Sequence, residues 1–455
     1  MITPAEENAR MLASLLGIDE AAAAERLECR ALVTAPASGP ARALADEVIA
    51  LLERTVDTTE DEIEGAGIEL VVGDAEPRTS LPRLWARIGV DVLVADIEPV
   101  DPAEGDPHPL HIAIAACPLA AAVLAQLIDS PALPKTRLPL CFEFAELGIA
   151  AEAIAMPVHI EAVMAGAGAV AHGFLRALRH IDVKGEITIV DPKNVGTGNA
   201  NRCLYLTADD TGPKAEALAR RAAADFGRLR LSPFIGTFTE HVATAGGPPA
   251  TAIVTVDSRR VRRSIQKELP GRVLDASTTD VRGVVVHSNH QPAEAACLAC
   301  IYRHVIDEQA RERSIADGLG ITLADVQQGL VSAEAAERIC LAHPSLAAVD
   351  VVGKAYDSLF KQLCAEQALL TPEGRQVLAP FAFVSMLAGA LLVIELLRSE
   401  TGTATTNFWT VDPWIGPIGA LRRLRPRLPD CEFCALPGVD EAAENLWGRN
   451  KSRWP

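Results

Sequence analysis

The sequence predicts an α/β protein with two parallel-sheet domains, a smaller one at the N-terminus and a larger doubly wound one after it. A chain of 455 residues is too long for one ordinary hydrophobic core. Strand-like and helix-like runs alternate from the start, which is typical of parallel sheets, and the alternation becomes more regular after residue 155. We expect an N-terminal domain at 1–155, a second domain at 156–436 and a C-terminal tail at 437–455.

Charge and composition argue against several classes of protein. The net charge of −18 disfavours a nucleic-acid partner, because binding to phosphate backbones depends on Lys and Arg. No secretory signal opens the chain, so we expect a cytoplasmic protein. The apolar run at 377–394 is long enough to span a bilayer, but Pro380, Ser385 and Gly389 interrupt it. We interpret this run as a buried core helix and expect no membrane contact.

The N-terminal region has the pattern of a small α/β unit without a recognisable site. Its predicted strands lie at 31–34, 68–72 and 90–95, and its predicted helices lie at 41–54 and 118–128. An apolar segment at 111–116 precedes the second helix. The region contains no glycine fingerprint and no catalytic cluster. Two roles therefore remain open for this region: a degenerate nucleotide fold or a surface that docks a partner.

The second domain opens with a glycine turn between a strand and a helix. The segment GAGAVA at 166–171 follows the predicted strand 160–164 and begins the predicted helix 170–178. Gly166 permits a tight turn, and Gly168 lets the backbone approach a phosphate at the helix N-terminus. Asp191 ends the next strand, where an acid can accept hydrogen bonds from a ribose. This pattern predicts a Rossmann-like domain that binds an adenine nucleotide; the alternative is a plain turn with a surface aspartate.

Polar residues after that strand favour ATP over NAD. Asn199, Arg202 and Lys214 follow Asp191 within one loop and the start of the next helix, 214–226. A dinucleotide has no standard use for such a cluster, whereas a triphosphate needs amide and cationic donors near its oxygens.

Two C-x-x-C pairs predict a structural zinc site. Cys297 with Cys300 and Cys431 with Cys434 supply four thiolates, which suit a closed tetrahedral site. The alternatives are chance spacings or redox motifs.

In this order the motifs resemble the adenylation domain of ubiquitin-activating enzymes and of the bacterial sulfur-carrier adenylyltransferases. The resemblance covers about 160–436 and rests on Asp191, Asn199, Arg202, Lys214 and Asp257, with Arg262 at its usual place. It implies that the first acid holds the ATP ribose, that the next three residues contact the phosphates, and that Asp257 supports Mg²⁺. It also implies that the zinc fixes the C-terminal segment to the domain. Two positions depart from the family pattern, with Lys193 in place of a second acid and Ala171 in place of the third glycine.

The chemistry implied is adenylation of the C-terminal carboxylate of a ubiquitin-like protein, followed by transfer to a cysteine. We favour Cys364 as the nucleophile, in the inserted segment 301–376, over Cys340 in the same segment. The third possibility is that no cysteine acts, as in a sulfur-carrier adenylyltransferase. Cys117 and Cys141 lie in apolar runs and are interpreted as core, and Cys203, beside the phosphate site, is a candidate for a raised thiolate fraction.

The resemblance further implies a homodimer, and we expect transfer to a conjugating enzyme to use residues 1–155. Such an activating enzyme resembles those of bacterial ubiquitin-like conjugation systems, some of which act in phage defence. Two rival interpretations are a nicotinamide dehydrogenase that uses the same glycine turn and an inactive adenylation-like scaffold with a structural zinc.

Overall fold

The computed structural model describes residues 3–448, apart from 279–282, 293–294, 304–305, 329, 345, 355, 357–358, 361–362, 364–380 and 404. Cys364, the favoured nucleophile, lies outside the described residues.

The N-terminal region forms a six-stranded sheet in the order β2-β1-β3-β4-β5-β6. Strands β1 to β4 are parallel, and β5 is antiparallel to both of its neighbours, β4 and β6. Its strands are β1 (Arg30–Thr34), β2 (Asp57–Thr59), β3 (Ala66–Val72), β4 (Arg83–Ile88), β5 (Val92–Asp96) and β6 (Leu140–Glu143). Its helices are α1 (Pro4–Leu16), α2 (Glu20–Leu27), α3 (Pro40–Leu52), α4 (Pro109–Ile128) and α5 (Ala151–Ile154), with a 3-10 turn at Phe144–Leu147. The predicted strands at 31–34, 68–72 and 90–95 are confirmed as β1, β3 and β5.

The second sheet has eight strands in the order β14-β13-β12-β11-β10-β7-β8-β9. The strands are β7 (Val158–Ala165), β8 (Val183–Val190), β9 (Leu229–Phe234), β10 (Thr251–Val254), β11 (Arg272–Thr278), β12 (Val284–His290), β13 (Phe408–Asp412) and β14 (Gly416–Arg423). The five strands from β11 to β9 are parallel, and β12 to β14 extend the sheet antiparallel. This arrangement confirms the predicted α/β fold class. Because β8 and β10 lie on opposite sides of β7, the winding reverses there, and ligands bind doubly wound sheets at such a point.

Helices and 3-10 turns connect these strands and cover both faces of the sheet. The helices are α6 (Ala169–Leu178), α7 (Lys214–Ala222), α8 (Phe238–Ala245), α9 (Arg259–Lys267) and α10 (Leu298–Ile301), and the 3-10 turns lie at Thr197–Asn201 and Ala223–Asp225. Two later helices, α15 (Ala382–Glu400) and α16 (Val439–Trp447), follow a further helical segment. The segment between Cys300 and α15 contains α11 (Ile306–Leu319), α12 (Leu323–Gln328), α13 (Ala333–Ala342) and α14 (Ala348–Val351). This segment has a small core of its own, formed around Leu319, Ile339 and Leu359.

Among the residues that the structure describes, two helices, α4 and α15, are long and apolar enough to cross a membrane, and both are mostly buried inside the protein. The burial of α15 confirms the core helix predicted near 377–394. On α4 the helix begins at Pro109 and passes through Pro118, so it includes the apolar segment that was expected to precede a helix starting at residue 118. The helix start is explained by Pro109 at the first position and by His108, whose Nδ1 accepts a hydrogen bond from the Leu110 amide at 3.1 Å.

The helix α15 packs backbone against backbone on α6. A Cβ added at Gly389 would lie 2.1 Å from the Phe174 nitrogen, and one at Gly173 would lie 2.6 Å from the Ser385 oxygen. Only glycine permits this approach. The buried apolar side chains of α4, α15, α6 and both sheets form one continuous core. The position of α6, which carries the glycine turn at its N-terminus, is therefore fixed by both halves of the chain.

Candidate functional site

The glycine turn at the end of β7 is built as the sequence predicts. Gly166 has φ of +99°, and a Cβ there would lie 3.1 Å from both Thr255 Oγ1 and the Val256 nitrogen. Thr255 Oγ1 donates to the carbonyls of Ala165 and Gly166 at 3.0 Å, which fixes the turn against the end of β10. Gly168 is the N-cap of α6 and makes no side-chain cap, and a Cβ added there would have no heavy atom within 4 Å. A methyl group at Gly168 would therefore lie in open space, so there is room for an anion beside the N-terminus of α6.

Asp191 follows β8 and is bonded directly to the glycine turn. The residue is 6% exposed, its Oδ2 accepts from the Ala167 amide at 2.8 Å, and its Oδ1 accepts from the Lys193 amide at 2.8 Å. Each carboxylate oxygen has a second lone pair, so the group can still accept hydroxyl donors. The two backbone bonds orient the carboxylate beside the turn.

The loop after Asp191 packs over the start of α6. Its apolar side chains Val195, Cys203 and Leu206 cluster with Ala169 in the first turn of α6 and with Ala217 of α7. Within the loop, Asn199 Oδ1 accepts from the Gly196 amide at 2.9 Å, which caps the 3-10 turn. The structure thus places the polar loop residues at the same end of the sheet as the glycine turn.

Arg202 leaves this loop toward the N-terminal region. Its Nη1 donates to Asn201 Oδ1 at 2.7 Å and lies 3.7 Å from Glu7 Oε1. The guanidinium is partly exposed, because 22% of the side chain is open to solvent.

Lys214 is the first residue of α7, and its amide donates to the Lys193 carbonyl at 2.9 Å. Burial lowers the pKa of Lys214, the carboxylate of Asp191 opposes this shift, and the positive charges of Lys193 and Arg202 add to it. These charges act on one another because the fold brings them together. The site therefore combines several cations with Asp191, the acid bonded to the glycine turn.

Asp257 follows β10 and is the most exposed of the predicted site residues. Its side chain is 67% exposed, and its Oδ1 lies 3.7 Å from Lys193 Nζ. An exposed carboxylate at the carboxyl end of a strand can bind a hydrated Mg²⁺. Lys193, at the position where the resemblance leads one to expect a second acid, instead places a positive charge near Asp257.

Arg262 has a structural role. It is 2% exposed, forms an ion pair with Asp275 and donates to the Val256 carbonyl, and its Nη2 donates to the Ala276 carbonyl at 3.0 Å. Tyr302 completes the cluster by donating to Asp275 Oδ2 at 2.6 Å. The cluster fixes the backbone just before Asp257. Asp275 and Tyr302 were not expected from sequence, because no local motif marks either residue.

The four predicted cysteines come together as a candidate metal centre. Cys297, Cys300, Cys431 and Cys434 are buried, and their Sγ atoms all lie within 4.8 Å of one another. The Sγ–Sγ distances are 3.7 Å for 297–300, 3.7 Å for 297–431 and 3.4 Å for 300–434. Ligands about 2.3 Å from a tetrahedral zinc are about 3.8 Å apart, so the donor set fits zinc.

Hydrogen bonds and an ion pair surround this cluster. The Leu428 amide donates to Cys300 Sγ at 3.4 Å. Arg263 of α9 joins the two cysteine pairs, because its Nη1 donates to the Tyr302 carbonyl at 3.2 Å and its Nε lies 3.1 Å from Glu432 Oε1. All four cysteines are buried, which suits a structural role.

The remaining cysteines correct two expectations. Cys203 is 1% exposed, and burial raises the pKa of its thiol although Lys214, Arg202 and Arg54 act in the opposite direction, which disfavours the raised thiolate fraction considered for this residue. Cys141 was expected in the core but is exposed, because β6 alternates and turns Leu140 and Phe142 inward. Cys117 is buried as expected.

Cys340, the second candidate nucleophile, is half-buried on α13. The nearby His343 bonds through Nε2 to the Gly318 carbonyl at 2.8 Å.

Comparison with known proteins places both halves of the chain. The ThiF family profile matches residues 158–433, and the E1 N-terminal domain profile matches residues 1–150. A curated relative, the uncharacterized protein y4jF of Sinorhizobium fredii, is 26% identical over 268 residues, which are 55% of this chain and 51% of that protein. The match thus spans about half the length of this relative.

Two similar solved structures are of E. coli MccB. The crystal structure of MccB with MccA-N7isoAsn is 14% identical over 60% of this chain and 66% of that one, with a TM-score of 0.37. The crystal structure of MccB with ATP is 13% identical over 63% of this chain and 69% of that one, also with a TM-score of 0.37. The ThiF match alone covers more than half of the residues of this chain. This chain therefore belongs to the ThiF family, within the superfamily of ubiquitin-activating enzymes.

Proposed function

We propose that this protein is an ATP-dependent adenylyltransferase that activates the C-terminal carboxylate of a ubiquitin-like protein. The observation that carries the proposal is geometric: Asp191 is hydrogen-bonded to the glycine turn, the loop that carries Arg202 packs on the first turn of α6, and α7 begins at Lys214. An oriented acid with cations nearby matches a nucleotide whose sugar is neutral and whose phosphates are anionic.

Each residue of the site has a distinct task in this proposal. The backbone at Gly166 and Gly168 admits the phosphates to the N-terminus of α6. Asp191 accepts hydrogen bonds from the ribose hydroxyls, and Asn199, Arg202 and Lys214 contact the phosphates. Asp257 would hold Mg²⁺, which offsets negative charge on the phosphate oxygens.

The reaction is a displacement at the α-phosphorus of ATP. A carboxylate oxygen of the carrier protein forms a bond to that phosphorus, and the bond to the oxygen of the β-phosphate breaks. An acyl-adenylate forms and pyrophosphate leaves with the bonding electrons. The side chains named here orient the reactants and stabilise the charge on the leaving group, and none of them forms a covalent bond.

The proposal extends to a thioester step at Cys364. Its thiolate would attack the acyl carbon, the C–S bond would form, and the bond from the acyl carbon to the AMP oxygen would break. Cys340 is the alternative nucleophile. A sulfur-carrier adenylyltransferase that stops at the adenylate is the alternative function. The four cysteines at 297, 300, 431 and 434 would hold zinc as a structural link between distant parts of the domain.

Four expectations from the sequence stay predictions: the homodimer, the transfer to a conjugating enzyme, the cytoplasmic location and the role in phage defence. Light scattering of the purified protein would test the dimer.

The decisive experiment is exchange of labelled pyrophosphate into ATP in the presence of purified ubiquitin-like and sulfur-carrier proteins that end in glycine. The matched negative controls are the same carriers without their terminal glycine. We expect Arg202→Ala and Lys214→Ala to reduce exchange by about 100-fold each, because each removes a charged donor to the phosphates. Arg220→Ala is the control for Lys214→Ala, since Arg220 lies on the same helix with 62% of its side chain exposed.

Other outcomes would identify the rivals. NAD retained by the purified protein, with no exchange, would favour a dehydrogenase. Function that survives Arg202→Ala, Lys214→Ala and Asp257→Ala would favour a non-catalytic scaffold. Non-reducing gels after a reaction with carrier and ATP test the thioester: a reducible adduct that is lost in Cys364→Ala and kept in Cys340→Ala and Cys141→Ala supports Cys364.

A further inference from the structure

The loop that carries Arg202 is bonded to the N-terminal region through Arg54. Arg54 Nη1 donates to the carbonyls of Ala200 at 2.7 Å and Leu206 at 2.9 Å, and its Nη2 donates to the Leu204 carbonyl at 2.7 Å. One guanidinium thus holds three carbonyls on both sides of Arg202 in the sequence. The planar fork of arginine makes such a multiple contact possible, and lysine cannot reproduce it.

A second link runs through two buried asparagines, Asn8 of α1 and Asn201 of the loop, which are 5% and 2% exposed. Asn8 Nδ2 donates to the Arg54 carbonyl at 2.6 Å, and Asn201 Nδ2 donates to Asn8 Oδ1 at 3.0 Å. Arg202 Nη1 in turn donates to Asn201 Oδ1 at 2.7 Å. Because Asn201 uses its amino group on Asn8, its carbonyl oxygen is held toward Arg202.

The residue before Asn8 adds an electrostatic contact to this chain. Glu7 Oε1 lies 3.7 Å from Arg202 Nη1, and the two side chains are 25% and 22% exposed. The helix α1 therefore offers Arg202 both an oriented acceptor, through Asn201, and a nearby negative charge.

We propose that Asn8 and Arg54 are positioning residues for Arg202, so that the N-terminal region sets how tightly the nucleotide site binds a triphosphate. This inference rests on the proposed function, because it assumes that Arg202 contacts the phosphates. A long arginine side chain loses rotamer freedom when it binds an anion, and a side chain that is already oriented loses less. Residues 1–54 then contribute to nucleotide binding without touching the nucleotide.

The test compares ATP with adenosine on the full-length protein. ATP affinity is measured by calorimetry, and adenosine affinity by competition with a fluorescent ATP analogue. For Asn8→Ala we expect about a tenfold loss of ATP affinity, the range of coupling between residues in one hydrogen-bonded network, and less than about a twofold change for adenosine. A residue that merely supports the fold would weaken both ligands equally, and that result would overturn the proposal.

A double-mutant cycle with Arg202→Ala tests whether Asn8 acts through that arginine. In the Arg202→Ala background, Asn8→Ala should cause no further loss of ATP affinity, whereas fully additive losses would refute the positioning role. Arg10→Ala is the matched control on α1, since Arg10 pairs with Glu20 at the surface, 3.3 Å away, and should leave both affinities unchanged.

Two further measurements keep the result interpretable. If Asn8→Ala does not fold, Arg54→Lys is the second variant: it keeps the charge, lacks the two planar nitrogens that reach the three carbonyls, and should weaken ATP binding but not adenosine binding. If the unmodified protein binds no ATP, the proposed function itself fails. If it binds ATP and the losses are additive, only the positioning role fails.

Discussion

Alanine at two glycines of the same turn should affect two different properties: stability at Gly166 and ATP affinity at Gly168. Gly166 has φ of +99°, and its Cβ would contact Thr255 Oγ1 and the Val256 nitrogen at 3.1 Å. Alanine in this conformation is strained by about 1–3 kcal/mol, and the contact adds to that cost because one of the two atoms belongs to the backbone. We therefore expect Gly166→Ala to lower the free energy of unfolding by about 2–3 kcal/mol.

Gly168 has φ of −88°, and its Cβ would meet no heavy atom within 4 Å. Alanine there costs at most about 1 kcal/mol, the difference between glycine and alanine at a helix N-cap. The added methyl group would instead occupy the space in front of the first amides of α6. We expect Gly168→Ala to fold normally and to bind ATP at least about tenfold more weakly, as loss of phosphate contacts with the backbone implies.

Urea unfolding followed by tryptophan fluorescence gives the stability of each variant, and calorimetry gives its affinity for ATP. The two variants control for each other, since they add the same methyl group two residues apart. A Gly168→Ala protein with unchanged ATP affinity would refute the assignment of the phosphate site to this turn. A Gly166→Ala protein as stable as the parent would refute the strain argument.

Three further predictions concern the surrounding structure. Asp275→Ala leaves the guanidinium of Arg262, which is 2% exposed, without its carboxylate. The free energy of unfolding measured in urea titrations should therefore fall by about 3–5 kcal/mol, and a loss below about 1 kcal/mol would contradict the structural role. Cys431→Ser should remove bound zinc measured by mass spectrometry and lower Tm, whereas Cys141→Ser at the exposed strand β6 should change neither. Burial lowers the pKa of His111 to about 4, so the unfolded chain binds a proton there that the folded protein does not. The contribution of His111 to stability should therefore be complete above about pH 6.5 and decrease by at most about 1.4 kcal/mol per pH unit between about pH 6.5 and 4, and His111→Phe should remove that part of the slope.

The features that sequence predicts well are those written in local spacing. Gly166 and Gly168 and the strand before them follow from a six-residue pattern, and the two cysteine pairs follow from their i to i+3 spacing. The core helix α15 is predictable because Pro380, Ser385 and Gly389 interrupt the apolar run at 377–394 and charged residues follow it directly. In each case the physics that sets the structure acts within a few residues.

The features that sequence misses depend on distant parts of the chain. Asn8 and Asn201 are 193 positions apart, and neither stands in a recognisable motif. In the sequence, Asn201 is only one of several amides near Arg202. The prediction for Cys141 is wrong because an apolar neighbourhood in sequence does not say which face of a strand each residue takes. The continuation of α4 through Pro118 is missed because a proline normally predicts a break.

The position of α15 between the two halves of the molecule limits how the chain can be divided. This helix contacts α4 on one side and α6, β11 and β12 on the other. Removal of residues 1–150, by proteolysis or by truncation of the gene, would expose to water the apolar surface of α15 that contacts α4. Such a fragment would aggregate unless new apolar cover replaced α4, because exposed apolar patches of that kind drive association. We therefore expect the two matched regions to fold together, so that neither can be lost alone.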